Sequence, residues 1–294
     1  MDGFISAASL LPVRLREKLL SASEETKRST EEIRLRCGQA VSLLIRSREH
    51  IPYPELSVSR DELQSVLETA CASSVHSFEA QMSRGSICAP GGIRVGVCGQ
   101  AVMKNGCVAG LRSLSSAAIR IPHELIGCGA GAFDTVFADG VSDLLILSPP
   151  GGGKTSLLRE YVRRLSTAGV RVSLADDRGE VAGTYMGRAQ FDLGTCTDVI
   201  SGAPKADAAM MLIRSMAPQV LAMDEISSPE DIRAVKEAAG CGVRILATAH
   251  AKSTADLRLR PVYRELLSLG VFRYAIIIEC DGSERSYRPE ELRA

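Results

Sequence analysis

Tryptophan is absent from this 294-residue chain, and aromatic residues make up only 4% of it. A channel that stacks single-stranded bases wants aromatic platforms, so this scarcity weighs against a nucleic-acid translocase. Net charge is also missing: 35 Lys and Arg balance 35 Asp and Glu. A basic coat for nucleic acid over the whole surface is therefore not expected, although a local patch stays possible. No stretch approaches the ~18 uninterrupted apolar residues of a membrane span. No basic leader precedes the apolar residues of MDGFISAASLLPVRLREKLL, so this segment is expected not to be a signal peptide. The nine cysteines are odd in number and form no CxxC pair, and the four histidines (50, 76, 123 and 250) are scattered. A disulfide framework or zinc ribbon is not expected, and reduced cytoplasmic thiols are the default.

The remaining composition is that of a soluble globular protein, with 45% hydrophobic and 24% charged residues. The length suggests two domains, and two textures meet near residue 122. Residues 1–122 carry 15 basic and 12 acidic residues, while 123–294 carry 20 and 23. The first part is expected to be a small α+β domain. Leu11, Leu15, Leu19 and Leu20 lie on one face of a helix that Pro12 can start. Packing within its own domain is the expected use of this Leu10–Leu20 segment, with a membrane or partner surface as the alternative. EIRLR (Glu32–Arg36) and VSLLI (Val41–Ile45) look like strands, and a helix follows from Asp61. The Gly-rich alternating stretch from Ile93 predicts a hairpin turning at Asn105-Gly106, and SAAIRIP (Ser116–Pro122) a last strand.

The second part alternates strands and helices. LLIL (144–147), VSLA (172–175), VLAM (220–223), RILAT (244–248) and YAIIIE (274–279) are strand candidates. Helices are predicted over 155–169, 206–216 and 229–240. Such alternation with short loops predicts an α/β domain with a mostly parallel sheet covered on both faces. The cysteines and the Met210-Met211 pair are expected in the core or on buried faces.

SPPGGGKT (Ser148–Thr155) lies between a predicted strand and a predicted helix. It matches the phosphate-loop pattern G-x-x-x-x-G-K-[ST] except at Ser148, where Gly is usual. Pro149 and Pro150 open the loop, Gly151, Gly152 and Gly153 would wrap a nucleotide's phosphates with successive backbone N–H groups, and Ser156 continues into the helix start. Lys154 can reach the β- and γ-phosphates of ATP, and the Thr155 hydroxyl can ligate Mg²⁺. About 70 residues on, VLAMDEI ends a strand in two carboxylates, the second element such NTPases need. Asp224 would hold Mg²⁺ and Glu225 would polarise the attacking water.

Three more segments make a family resemblance specific. ADDRGE (175–180) resembles the Asp box, IRSMAPQVLAMDEI (213–226) the approach to the second acidic element, and ATAH (247–250) the His box of the secretion ATPases. These are the motors of type II and type IV secretion and of type IV pili. Within that superfamily, EIRLR, GGIRVGVCGQAV, SAAIRIPHE and DDRGE resemble the stage III AA sporulation proteins of endospore-forming bacteria. The resemblance implies a RecA-like P-loop core over 123–294, a smaller α+β domain over 1–122, and a homo-oligomeric ring, expected to be a hexamer. It also implies a peripheral role at the cytoplasmic face of a membrane channel, on the mother-cell side in sporulation, with channel or secretion-complex proteins as partners. Asp177 and Glu180 fit a solvated loop pair, or residues that orient water or metal, the second reading resting mostly on the resemblance. His250 fits a structural histidine or a γ-phosphate sensor, and Thr248 a polar sensor or a simple strand residue. In secretion ATPases, N-terminal-domain arginines reach the phosphates. Arg94, Arg112 and Arg120 are the candidates, and Arg120 is favoured for lying nearest the junction. Arg214 has a structural role as its alternative, tying its helix to an acidic loop.

The expected activity is Mg²⁺-dependent ATP hydrolysis whose product is mechanical work. Two alternatives stand beside it. A RecA-like nucleic-acid translocase is weakened by the composition, and a non-hydrolysing nucleotide-gated scaffold is disfavoured by Glu225.

Overall fold

A computed structural model describes residues 3–46, 48–71, 86–104, 106–122, 124–281 and 284–292. The chain divides into two units, residues 1–123 with 183–190, and residues 124–182 with 191–294. The return of 183–190 to the first unit was not visible in composition. Its cause is local: Tyr185 and Arg188 close a small turn, and the Gln190 side-chain oxygen accepts from the Gly91 N–H at 3.0 Å.

The first unit is built on an antiparallel sheet in the order β3-β2-β1-β6-β5-β4. The strands are β1 (Thr30–Arg36), β2 (Ser42–Ile45), β3 (Arg48–His50), β4 (Ser86–Ala89), β5 (Ile93–Lys104) and β6 (Cys107–Arg120). Alternation in β1 sends Ile33 and Leu35 into the core, where α1 (Gly3–Ala8), α2 (Val13–Leu20) and α4 (Arg60–Ala70) cover them. The short α3 (Glu24–Ser29) leads into β1. Leu10, Leu11, Leu15 and Leu19 are all buried in this core, which removes the membrane-lying alternative for that segment. Ser59 and Glu62 form a reciprocal capping box that starts α4. SAAIRIP is not a separate strand but the end of the 14-residue β6. Ser113 takes a left-handed φ of 46° within it. The strand survives this kink because Gly99, across from it, has no side chain; a Cβ there would lie 2.8 Å from the Arg112 carbonyl oxygen. Asn105 of the expected turn lies outside the described residues, and Gly106 has φ 79°.

The second unit opens with α5 (Ala130–Val136) and is built on the sheet β13-β12-β7-β11-β10-β8-β9. Its strands are β7 (Leu144–Ser148), β8 (Val172–Asp176), β9 (Thr197–Ser201), β10 (Val220–Met223), β11 (Arg244–His250), β12 (Tyr274–Asp281) and β13 (Glu284–Glu291). Every neighbouring pair is parallel except the β12–β13 hairpin. The helices are α6 (Lys154–Thr167), α7 (Lys205–Met216), α8 (Pro229–Gly240), α9 (Thr254–Leu259) and α10 (Pro261–Ser268). Leu144 and Ile146 pack on the side of α5 and α6, while Leu145 and Leu147 pack on the side of α7, α8 and α10. Burial on both faces explains the unbroken apolar runs of the central strands.

Two expectations fail. Cys98, Cys107, Cys241 and Cys280 are exposed and the other five cysteines are only half-buried. Met211 is 59% exposed. Cys71 and Cys128 still pack against the two cores, whereas Cys241 caps the end of α8 and Met211 faces outward on α7, where apolar character alone does not bring burial. Among the described residues no helix is long and apolar enough to cross a membrane.

Asp143, buried just ahead of β7, ties together the N-terminal ends of the neighbouring central strands β7 and β11. Its carboxylate accepts from the buried Ile245 N–H at 2.8 Å and from Arg244 at 2.7 Å. Asp143→Ala strands a buried donor and is expected to cost about 1–3 kcal/mol. A lower urea midpoint at unchanged slope reads this out, and an unchanged midpoint would contradict it.

Candidate active site

The C-terminal ends of β7, β10 and β11 bring the motifs together, as open parallel sheets do at their ligand crevice. β7 runs straight into the phosphate loop. Gly151 and Gly153 take left-handed φ values of 76° and 97°, which curl the backbone into a cradle that side-chain-bearing residues resist. Gly153 is the N-cap of α6 and has no side chain to cap it, and the first helical N–H bond is Leu157 to Gly153. The N–H groups of Lys154, Thr155 and Ser156 thus head a 14-residue helix at its positive end, the geometry that binds phosphate.

Ser148, the departure from the usual pattern, has a packing counterpart. It is fully buried and its hydroxyl donates to the Pro149 carbonyl at 2.7 Å. A Cβ on Gly152 would lie 1.8 Å from that hydroxyl oxygen, so the serine fits because residue 152 is glycine. From the far side, Arg285 of β13 donates to the Gly152 carbonyl at 3.3 Å.

Lys154 is only 6% exposed. Its ammonium donates to the carbonyls of Ser148 (3.0 Å) and Pro149 (3.1 Å) and to Nδ1 of His250 (2.8 Å). Burial pushes its pKa down, against the pull of Asp224 and Glu225. An ammonium has no acceptor, so His250 accepts at Nδ1 and keeps its proton on Nε2. That nitrogen faces Oε1 of Glu225 at 3.2 Å. Lysine, histidine and glutamate thus form one hydrogen-bonded line.

The acidic pair is positioned by strand register. Met223 of β10 pairs with Ala247 of β11, so Asp224 and Thr248 meet one residue later. Asp224 accepts from Thr248 at 2.7 Å on one oxygen and from Thr155 at 2.9 Å on the other. Thr248 also accepts from the Glu225 N–H at 2.8 Å. Glu225 holds a left-handed φ of 52°, a strained backbone for a residue with a side chain. Its N–H is fixed by Thr248 and its carbonyl by Lys205 at 2.6 Å. Its two carboxylate oxygens meet His250 and Arg178, each at 3.2 Å.

The acidic loop after β8 is organised by Asp176 rather than by Asp177. Asp176 is buried, and its carboxylate accepts from the N–H groups of Glu180 (3.0 Å), Val181 (3.3 Å) and Ala182 (2.8 Å). Burial pushes its pKa up, with the three backbone donors opposing. Arg159 of α6 donates to the carbonyls of Val181 (2.6 Å) and Glu180 (2.7 Å) and lies 3.8 Å from the Phe191 ring. The loop is thereby fastened to the phosphate-loop helix.

Ser148, Pro149, Lys154, Thr155, Asp224, Glu225, Thr248 and His250 thus meet through direct contacts. Pro150, Gly151, Gly152, Gly153 and Ser156 supply the loop and the first helical turn. Glu180 lies in the Asp176 loop, with its backbone N–H and carbonyl spent on Asp176 and Arg159. Arg120 lies in the first unit at the end of β6, 60% exposed, with Nε 2.9 Å from Glu32. Arg112 donates to Gln100 and Arg94 to Ser86. Arg214 is exposed and has no ion pair among the described residues, so it does not tie α7 to an acidic loop. The sequence reading missed Asp176, Arg159, Arg178 and Lys205. The first had a visible signal, an Asp ending an apolar strand with Gly three residues on, which is a turn signature.

The donor set suits a hard cation held partly by substrate. One carboxylate and one hydroxyl converge at Asp224 and Thr155, and no cluster of three or more His, Cys, Asp or Glu that would bind metal alone occurs among the described residues.

With this geometry in hand, the comparisons are specific. The chain is 33% identical over 281 residues to the stage III sporulation protein AA of Bacillus subtilis, covering 94% of this chain and 91% of that protein. Among solved structures it is similar to the ATPase DotB of Legionella pneumophila (TM-score 0.59, 14% identity, 90% of this chain and 77% of that one). It is also similar to the pilus retraction motor PilT with bound ADP (TM-score 0.60, 17% identity, 92% and 81%). These two likenesses establish the shared fold, a RecA-like core and a smaller antiparallel sheet. The model of the family "Sporulation stage III, protein AA" matches residues 6–288, and the chain belongs to that family.

Proposed function

We propose that this protein is a Mg²⁺-dependent ATPase of the secretion-motor type, working as a hexameric ring that energises a sporulation-associated membrane channel or its assembly. It would act at the cytoplasmic face of that membrane, on the mother-cell side, with channel or secretion-complex proteins as partners and no nucleic acid. One observation carries the chemistry: Asp224 joins Thr155 and Thr248 while Lys154 and Glu225 stand on either side of His250. The solved structures of similar fold are named an ATPase and an ADP-bound pilus retraction motor.

In this reading Lys154 and the loop N–H groups bind the β- and γ-phosphates, and Thr155 and Asp224 hold Mg²⁺. The metal neutralises phosphate charge when bound. Glu225 takes a proton from the attacking water at one of its carboxylate oxygens. The strained backbone of Glu225 fixes where that carboxylate sits. His250 connects the base to the phosphate-binding lysine, which suits it to report whether the γ-phosphate has drawn Lys154 away. Glu180 orients water or metal from the Asp176 loop. Arg120 contributes a positive charge to turnover, in competition with its Glu32 partner.

Lys154→Ala is expected to weaken ATP binding in a calorimeter, and unchanged affinity would count heavily against the loop's role. Glu225→Gln should bind ATP while losing about 10²–10⁴-fold in turnover, the usual range for a general base. Normal hydrolysis by that variant would remove Glu225 from the chemistry. Arg120→Ala should lower turnover much more than affinity, by about 10³-fold if it acts as an arginine finger. Turnover equal to the parent would leave Arg120 to its pair with Glu32.

A further inference from the structure

Among the described residues the β5–β6 hairpin outruns the sheet it belongs to. Among them, β4 pairs with β5 only over Ile93–Gly96, and β1 pairs with β6 only over Ser116–Arg120. Beyond these, Gln100–Lys104 and Cys107–Arg112 pair with each other as a two-stranded ribbon. At its end Val102, Met103 and Val108 are 40%, 59% and 44% exposed. The extra residue of the local bulge, Ala109, is on β6, so β5 keeps its alternation. Successive strand residues face opposite sides, and Val102 and Met103 therefore make the tip apolar on both faces.

Charge is equally one-sided. Residues 93–120 contain no Asp or Glu and carry Arg94, Lys104, Arg112 and Arg120. Lys104 and Arg112, the two nearest the tip, have no ion pair among the described residues; Arg112 donates to the Gln100 amide oxygen.

We propose that this ribbon is a lipid-docking probe: its tip enters the headgroup–acyl boundary of an anionic membrane, with Lys104 and Arg112 against the lipid phosphates. A protein groove covers one face of a strand pair, whereas a fluid apolar medium surrounds both. Three side chains also fall well short of the ~800 Å² per partner that a stable protein interface buries. A basic, acid-free stem matches the negative surface of anionic lipids. Among the described residues each ribbon strand keeps its outer edge unpaired, so the tip sits at the hydrated headgroup boundary and not in the hydrocarbon core. The proposal rests on the reading that the protein works at a membrane and is independent of the nucleotide site.

The test is co-sedimentation of the full chain with vesicles of phosphatidylcholine alone or mixed with phosphatidylglycerol, at low and high salt. The wild type is expected to pellet with the anionic vesicles at low salt and to stay in solution with the neutral ones. Val102→Asn combined with Met103→Asn should weaken that binding about tenfold or more. Lys104→Glu should weaken it too, and Met103→Leu should keep it. All these positions are exposed, so thermal melting should match the parent and exclude misfolding. If wild type and the double Asn variant pellet equally, the protein binds membranes by another surface and the ribbon assignment is wrong. If the wild type does not pellet with anionic vesicles at all, the ribbon is no lipid probe and any membrane attachment runs through a protein partner.

Discussion

One carboxylate holds the candidate site together. Asp224 accepts from Thr155 on the phosphate-loop helix and from Thr248 on the neighbouring strand. It thereby links the ends of two strands and the start of one helix, and the loop's position against Glu225 follows from it. Register makes this possible. A one-residue slip of β10 against β11 would turn Asp224 away from Thr248 and break both bonds at once.

Around this anchor the residues differ in how they are held. Lys154 and Glu225 are each fixed by several partners, and Glu225 in addition occupies a backbone region that residues other than glycine rarely adopt. Such strain persists where the surroundings over-determine it, and here Thr248 and Lys205 grip the two sides of the residue. Arg178, which reaches the same carboxylate, is 61% exposed and tied to a loop instead. Glu225 therefore has one half-buried neighbour, His250, which leads to the phosphate loop, and one solvent-facing neighbour, Arg178. An exposed ion pair of this kind contributes little to stability, which leaves Arg178 free to change partners.

Much of the parallel sheet was legible in the sequence because its central strands are buried on both faces and spell unbroken apolar runs. The edges were not. ERSYRPEE (284–291) is too polar to suggest a strand, yet it pairs along β12 as an edge with solvent on its outer side. TDVIS (197–201) is short and only half-buried. The motif residues Lys154, Thr155, Asp224 and Glu225 could be named from spacing, since their chemistry dictates their types. Arg159 could not, because it holds backbone carbonyls, and backbone partners leave no trace in residue identity; Asp176 left only the turn signature of an Asp at a strand end with Gly three residues on. The cysteines misled for the opposite reason: apolar character predicts burial only on an inward face, and Cys98 is exposed within β5 while Cys107 stands on a ribbon that leaves its sheet.

The central claim is that this chain cleaves ATP at the loop after β7. Phosphate release in a single turnover, with protein in excess over γ-labelled ATP, tests it without requiring rapid cycling or a partner. Label should appear as inorganic phosphate when Mg²⁺ is present and not when it is chelated. ATP that binds tightly in the presence of Mg²⁺ and is recovered intact would contradict hydrolysis and leave a nucleotide-gated scaffold.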